Sequence, residues 1–279
     1  MVTVVFGARG NVGRHVVAGL VAAGEQVRLT SRHPEAAGLP PLLEVVAADL
    51  ERPETLPAAL EGADKVFVYA KADGVDGFVA AARSAGVRQV VLLSSGAVVK
   101  PDAERDPIAR QHRIVELAIE SAGFDWTFIR PGMFATNTLW WWAKSIRADG
   151  AVRLPYPDAQ TAPIHEQDLA AIAVTALTEP GHQQQAYTVY GAESLTLRRQ
   201  VDHIAAATGE PIAIEVISPE EARIELAKTM PAIGVEVILR MWTAANGTPA
   251  KVSPIVEQVV GRPALTFARW AEDHAADFR

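Results

Sequence analysis

The sequence contains no cysteine, which removes disulfides, thiolate metal sites, iron–sulfur clusters and cysteine nucleophiles together. Redox chemistry in such a chain needs a bound organic cofactor. Positive charge is also short. Lys and Arg number 26 against 33 Asp and Glu, a net charge of −7, so no general attraction draws the protein to phosphate backbones or anionic lipid. Neither nucleic acid nor a membrane is an expected partner. No apolar run approaches the roughly 18–20 residues of a membrane span. The chain opens straight into Val2-Thr3-Val4-Val5-Phe6 without a basic leader, and the expected location is cytoplasmic. The seven histidines form no H-E-x-x-H pair and no G-x-S-x-G elbow is present, so a metal hydrolase and a serine esterase both lack their parts and no metal site is expected.

What is present is the composition of a folded protein: 49% hydrophobic and 21% charged residues over 279 positions, with a mean hydropathy of +0.11. That length suits a principal domain with a smaller appendage. β-branched runs at 2–6, 26–30, 43–47, 65–69, 89–93 and 126–130 predict strands covered on both faces. Between them, amphipathic stretches at 11–23, 76–85 and 105–122 predict helices, each followed by a glycine placed for a left-handed cap: Gly24, Gly86 and Gly123. Strands alternating with helices predict a parallel sheet with right-handed crossovers. After Arg130-Pro131-Gly132 the rhythm changes to a Trp-rich segment (134–146), a proline-punctuated stretch and a helix at 166–177. A strand at 186–190, a helix at 197–207 capped by Thr196, a strand at 211–216 and helices near 219–229 and 233–245 complete the reading. Asn246-Gly247-Thr248 reads as a turn. The fold class expected is α/β: a Rossmann-type doubly wound parallel sheet over 1–131, to which 150–190 partly returns, interleaved with a smaller α/β substrate lobe over 132–279.

Gly7-Ala8-Arg9-Gly10-Asn11-Val12-Gly13 lies between the first strand and first helix. Its glycines allow a sharp turn, close backbone approach to a pyrophosphate and tight packing of helix on sheet. An NAD site usually has an acidic residue after its second strand; here the chain offers Thr30-Ser31-Arg32-His33. A guanidinium there grips a 2′-phosphate that a carboxylate would repel, and Arg9 brings a second cation. NADP(H) is therefore the expected cofactor, with NAD(H) second. Asp49-Leu50 stands where adenine would lie, or simply opens a turn. Lys71, just past the fourth strand, is placed toward the cofactor phosphates or is a plain surface lysine.

With these features goes a wider pattern: Leu92-Leu93-Ser94-Ser95, Glu116 followed by Ser121-Ala122-Gly123-Phe124-Asp125-Trp126, Ile129-Arg130-Pro131-Gly132-Met133-Phe134 with Asn137, and Pro163-Ile164-His165-Glu166-Gln167-Asp168. The sequence resembles the NmrA-like branch of the atypical short-chain dehydrogenase/reductases, which includes NADPH-dependent quinone and dye reductases and redox-sensing regulators. The resemblance implies a cofactor set that adds Ala70 and Ser94 to the glycine loop, Ser31, Arg32, Asp49, Leu50 and Lys71. It also implies that the superfamily's Tyr-x-x-x-Lys pair is replaced: counting back from Glu116, the Lys position is His112 and the Tyr position Ile108. Ordinary carbonyl–alcohol chemistry then lacks its proton donor. A quinone is less demanding, because its reduced oxyanion is delocalised. His112 is either an acid or ribose contact, or a plain helix histidine.

Ligands in open α/β sheets bind beyond the carboxyl ends of the strands, so Phe134, Asn137 and the Trp140-Trp141-Trp142 run after the sixth strand are expected to flank the nicotinamide. Successive helical residues point about 100° apart, so three tryptophans cannot all face one core. Stacking of a flat ligand on Trp140 or Trp141 and a homodimer contact are the two uses open to the remaining ring. Asn137 would orient a carbonyl oxygen. The resemblance implies that His165 lies near the substrate; otherwise it is a helix N-terminal histidine. The function expected is an NADPH-dependent oxidoreductase that delivers hydride to a flat conjugated carbonyl or quinone, a polycyclic aromatic of secondary metabolism included, with net reduction or oxygen-dependent hydroxylation as the outcome. The alternative is a non-catalytic NADP(H)-sensing regulator acting through a protein partner.

Overall fold

The structure is a computed structural model and describes residues 1–36, 38 and 42–279. In chain order its elements are β1 (Val2–Val5), α1 (Gly13–Ala22), β2 (Gln26–Ser31), β3 (Glu44–Ala47), α2 (Leu56–Leu60), β4 (Ala63–Tyr69), α3 (Val75–Ser84), β5 (Gln89–Leu93), α4 (Pro107–Ser121), β6 (Asp125–Pro131), α5 (Lys144–Asp149), β7 (Ala151–Leu154), β8 (Gln160–Thr161), α6 (Glu166–Thr178), β9 (Gln185–Val189), β10 (Leu195–Thr196), α7 (Leu197–Thr208), β11 (Ala213–Val216), α8 (Pro219–Ala227), α9 (Ala232–Ala245), α10 (Ile255–Val260) and α11 (Phe267–Asp273). They form two compact units. The first comprises Met1–Gly132, Glu166–Val189 and Ile255–Arg262; the second comprises Met133–His165, Tyr190–Pro254 and Pro263–Arg279. Of the 150–190 stretch expected to return to the sheet domain, Glu166–Val189 does so, and Ile255–Arg262 joins it from the stretch assigned to the substrate lobe.

The first unit is built on a seven-stranded sheet in the order β3-β2-β1-β4-β5-β6-β9, parallel at every pairing. This is the Rossmann order with one strand added beside β6. Side chains alternate across the strands. Val4, Phe6, Val66, Val68, Val90, Leu92 and Phe128 pack with α2, α3 and α4 residues such as Leu60, Phe78 and Ile119. Their neighbours Val5, Phe67, Val91 and Ile129 are equally buried, which is why these strands read as continuous apolar runs. Gly19 lets α1 meet α6 closely: a Cβ there would stand 2.7 Å from Val174. Lys65 Nζ and Gln89 Nε2 donate to the carbonyls of Leu177 and Ala176, each at 2.6 Å, and so satisfy acceptors at the end of α6.

Helix ends differ from the expected bounds for local reasons. The glycine loop occupies residues to Val12, so α1 starts at Gly13. In α4, Asp106 is the cap, its carboxylate accepting from the N–H groups of Ile108 and Ala109, and Pro107 takes the first helical position. Gly24, Gly86 and Gly123 adopt φ of 76°, 79° and 80°, the left-handed caps expected of them.

The second unit holds two small sheets, β11 parallel to β7 and β10 antiparallel to β8. Thr196 caps α7 by accepting from the Arg199 N–H. The segment 139–143 is a π-helical turn carrying the three tryptophans, a geometry that the 3.6-residue reading did not include. Among the described residues, no helix is long and apolar enough to cross a membrane.

Candidate functional site

At the carboxyl ends of the first unit's strands the glycine loop turns tightly. The Gly10 N–H donates to the Gly7 carbonyl at 2.8 Å, and Gly7 has φ of 71°, a conformation that disfavours a side chain. A Cβ on Gly13 would stand 2.1 Å from the Gly7 oxygen, so helix and loop close up only with glycine there. α1 then begins at a cap residue, Val12, that has no side-chain acceptor, and its first turn contains no acidic residue. Within its own first turn, no carboxylate counters the N-terminal dipole. Arg9, Gly10 and Asn11 are exposed beside it, while Ala8 and Val12 are buried beneath.

Beyond β2, the Ser31 hydroxyl accepts from the His33 N–H at 3.1 Å and shapes the turn that presents Arg32. Arg32 and Arg9 are exposed. Neither guanidinium has an ion-pair partner among the described residues. Asp49 uses one carboxylate oxygen to accept from the Glu51 N–H at 3.1 Å, an Asx-type turn, and Leu50 is buried. Ala70 is half-buried, its N–H bonded to the Leu93 carbonyl at 3.2 Å. The Lys71 ammonium pairs with Glu51 at 3.0 Å, and the hydrogen bond to Glu51 raises its pKa. A residue that the sequence reading passed over, Tyr69, stands against the loop, with ring carbons 3.0 and 3.2 Å from the place of a Gly7 Cβ. Burial pushes its phenol pKa up, with Arg32 pulling in the opposite sense. The phenol therefore stays protonated at neutral pH.

Toward β5 and β6 a different arrangement holds. Glu116 on α4 is fully buried and accepts from Ser94 Oγ at 2.6 Å, from Arg130 Nε and Nη2 at 2.8 Å each, and from Arg113 Nη1 at 3.1 Å. Burial alone would raise its pKa; the bonds from Arg130, Ser94 and Arg113 outweigh that and lower it. The Ser94 hydroxyl thus donates to a structural carboxylate. One turn before Glu116, His112 Nδ1 lies 2.8 Å from the Ile108 carbonyl. A carbonyl only accepts, so Nδ1 carries the proton and the neutral ring offers Nε2 as an acceptor. Ile108, at the position where the family's Tyr would stand, is 46% exposed and presents an apolar surface.

In the second unit, Phe134 pairs in a bridge with Ile164, anchored by Ala135 N–H to Ile164 carbonyl at 2.9 Å and Ile164 N–H to Met133 carbonyl at 2.8 Å. These bonds fix the turn that carries Asn137. Phe134 and Asn137 are both half-buried, and the Asn137 side-chain amide makes no hydrogen bond among the described residues. Trp140 is 66% exposed and Trp142 is buried, with Trp141 between them in burial and packed edge-on against both Trp142 and Trp242. His165 is 1% exposed, with Nε2 3.4 Å from the Asp273 carboxylate. Its ring is an interior member of this unit, directly before the first residue of α6. Among the described residues, no cluster of three or more His, Asp or Glu side chains is arranged to hold a metal ion.

Residues 7–180 match the NAD(P)H-binding family. The chain belongs to it. Over 279 residues, 98% of each chain, it is 39% identical to the (4-alkanoyl-5-oxo-2,5-dihydrofuran-3-yl)methyl phosphate reductase of Streptomyces griseus. It is 36% identical to the NAD(P)H azoreductase of Xenophilus azovorans over 243 residues, 85% of this chain and 84% of that one. The fold is similar to that of Citrobacter sp. triphenylmethane reductase complexed with NADP(H), with a TM-score of 0.78, 22% identity and 99% and 100% of the two chains covered. The Escherichia coli quinone oxidoreductase QOR2 complexed with NADPH gives a TM-score of 0.79 at 22% identity, over 98% and 99%. The protein is an NAD(P)H-dependent oxidoreductase. The glycine loop, the α1 terminus and the two open guanidiniums fit a dinucleotide.

Proposed function

We propose that this oxidoreductase uses NADPH in preference to NADH and delivers hydride to a flat conjugated carbonyl compound, a quinone foremost. The observation that carries the cofactor half is Arg32, exposed and without a carboxylate partner at the end of β2, where an acidic residue would select against a 2′-phosphate. Arg9 supplies the second cation. The N–H groups of Asn11, Val12 and Gly13 hold the pyrophosphate at the α1 terminus.

Bound NADPH supplies the hydride. The protein contributes orientation, hydrogen bonding and exclusion of water. Asn137 has an uncommitted amide and directs the acceptor's carbonyl oxygen. His112 as a neutral ring has only an acceptor at Nε2, which suits a ribose hydroxyl; it donates a proton only as imidazolium. With Ile108 in place of a phenol, the acceptor must tolerate reduction without a positioned acid. Conjugated carbonyls do, because hydride added at the far end of the conjugated system leaves its electron pair on a delocalised enolate or phenolate oxygen, which water can protonate. One relative supports this class by name: the Streptomyces griseus reductase acts on an oxo-dihydrofuran, a carbonyl conjugated to a ring double bond.

Anaerobic oxidation of NADPH by purified protein with a panel of naphthoquinones and anthraquinones tests the proposal. Turnover is expected, falling at least about tenfold in Asn137→Ala, the scale of one lost oriented donor. Repeating the assay in air distinguishes simple reduction from oxygen-dependent hydroxylation by the extra oxygen consumed. Absence of NADPH oxidation with every conjugated acceptor would refute the assignment.

A further inference from the structure

Tyr69 is the last residue of β4, and it breaks the pattern of that strand. Val66, Phe67 and Val68 before it are buried, whereas Tyr69 is 39% exposed. A large aromatic left open at the carboxyl end of a parallel strand stands where such sheets take their ligands. The glycine loop fixes its place. Ring carbons Cδ1 and Cε1 lie 3.0 and 3.2 Å from the position of a Gly7 Cβ, so one ring edge is seated on the bare Gly7 backbone. Because β1 runs between β2 and β4, the loop that follows β1 is flanked by Arg32 after β2 and by Tyr69 at the end of β4.

The phenol has a donor to spare. Its hydroxyl makes no hydrogen bond among the described residues, and it belongs to a side chain open to solvent. Four charged groups act on it, Arg32 most strongly, then Asp49, Lys71 and Glu51. Lys71 and Glu51 pair with each other at 3.0 Å, and Asp49 accepts from the Glu51 N–H. Of the four, Arg32 is the one without a bonded partner among the described residues. An anion drawn to Arg32 therefore arrives beside an unused O–H donor. We propose that Tyr69 is a specificity-determining residue of the cofactor site, its hydroxyl donating to the same 2′-phosphate that Arg32 grips. This assignment rests on the NADPH reading of Arg32 and adds a neutral donor to it. A hydrogen bond to a charged oxygen is stronger than one to a neutral hydroxyl, so the same O–H favours the 2′-phosphate of NADPH over the 2′-hydroxyl of NADH. Burial keeps the proton on the phenol at neutral pH.

Titration calorimetry of the full chain with NADPH and with NADH, wild type against Tyr69→Phe, tests the proposal. The variant keeps the ring on Gly7 and removes only the O–H, and its urea midpoint should match that of the wild type. NADPH binding is expected to weaken about tenfold, with NADH within about twofold. Adenosine 2′,5′-bisphosphate and 5′-AMP form a second pair that differs only in the 2′-phosphate, and only the bisphosphate should lose affinity in the variant. Equal weakening of NADPH and NADH would put the hydroxyl elsewhere on the dinucleotide, and unchanged NADPH binding would leave it no role; either result overturns the proposal. The two assignments fail separately. A wild type with equal affinity for NADPH and NADH refutes the reading of Arg32 and this one with it, whereas a wild-type preference for NADPH that survives in Tyr69→Phe refutes the role of Tyr69 alone.

Discussion

Arg32 and Arg130 stand at the carboxyl ends of β2 and β6 in the same parallel sheet and have opposite surroundings. Arg130 is held by two bonds from one buried carboxylate, which also takes Ser94 and Arg113. Arg32 is exposed and has no carboxylate at all among the described residues. The first is a closed ion pair whose geometry fixes α4 against the strand ends. The second is a charge left for something outside the chain. Net composition says nothing of this distinction, because both arginines count equally toward it. A guanidinium saturated by protein acceptors builds structure, and one that is not is a binding group.

The largest effect expected from breaking the closed side is Glu116→Ala. Removing one partner of a buried pair strands the other charge, at a cost of about 3–5 kcal/mol, read as a lower urea midpoint; Glu116→Gln should recover part of it. A smaller loss, about 1 kcal/mol, is expected for Ser94→Ala, which deletes one neutral donor to the same carboxylate. On the open side, Arg9→Ala should leave the urea midpoint unchanged and weaken NADPH binding several-fold, the scale of one exposed charge contact. The smallest effect is expected for Lys71→Ala: its ammonium is engaged by Glu51 at the surface, so NADPH affinity should stay within about twofold.

The pH dependence sharpens the same contrast. The Glu116 carboxyl is held below its ordinary value of 4.5, so its contribution to stability is complete above about pH 4.5 and is lost as pH falls through the folded-state value. Wild-type stability should therefore fall more steeply than that of Glu116→Gln as pH drops below about 4.5, measured by urea unfolding at each pH. Parallel loss in the two proteins would mean that other carboxylates govern the acid limb.

The sheet was legible because its signals are local. β5 has the expected bounds of Gln89–Leu93, since a strand buried on both faces is a continuous apolar run, here Val90–Leu93 after Gln89, and the glycines after α1, α3 and α4 mark their helix ends by φ alone. Arg32 was legible for the same reason, as one residue at a known place after a strand. What depended on distant partners was not. β7 is a four-residue strand whose mate, β11, begins some 60 positions later. Glu116 was visible as a motif residue, but its ligands Ser94 and Arg130 lie 22 and 14 positions away. Tyr69 gave no pattern, because its role comes from the absence of a side chain on Gly7. The π-helical turn at 139–143 broke the period used to sort the three tryptophans, and the edge-on packing of Trp141 against Trp242 has no local signature. Lys71 and His165 were placed by position in the chain, whereas a carboxylate from elsewhere in the sequence meets each: Glu51 and Asp273.

The central claim is that Arg32 is an open binding group for the 2′-phosphate. Dissociation constants for NADPH and NADH, measured by titration calorimetry on the wild type and on Arg32→Ala, test it most directly. The account predicts that NADPH binds the wild type at least about tenfold more tightly than NADH, and that Arg32→Ala removes most of this difference while leaving NADH within about twofold, as expected for loss of one charge-assisted contact. Equal weakening of both nucleotides, or an unchanged preference for NADPH, would contradict it.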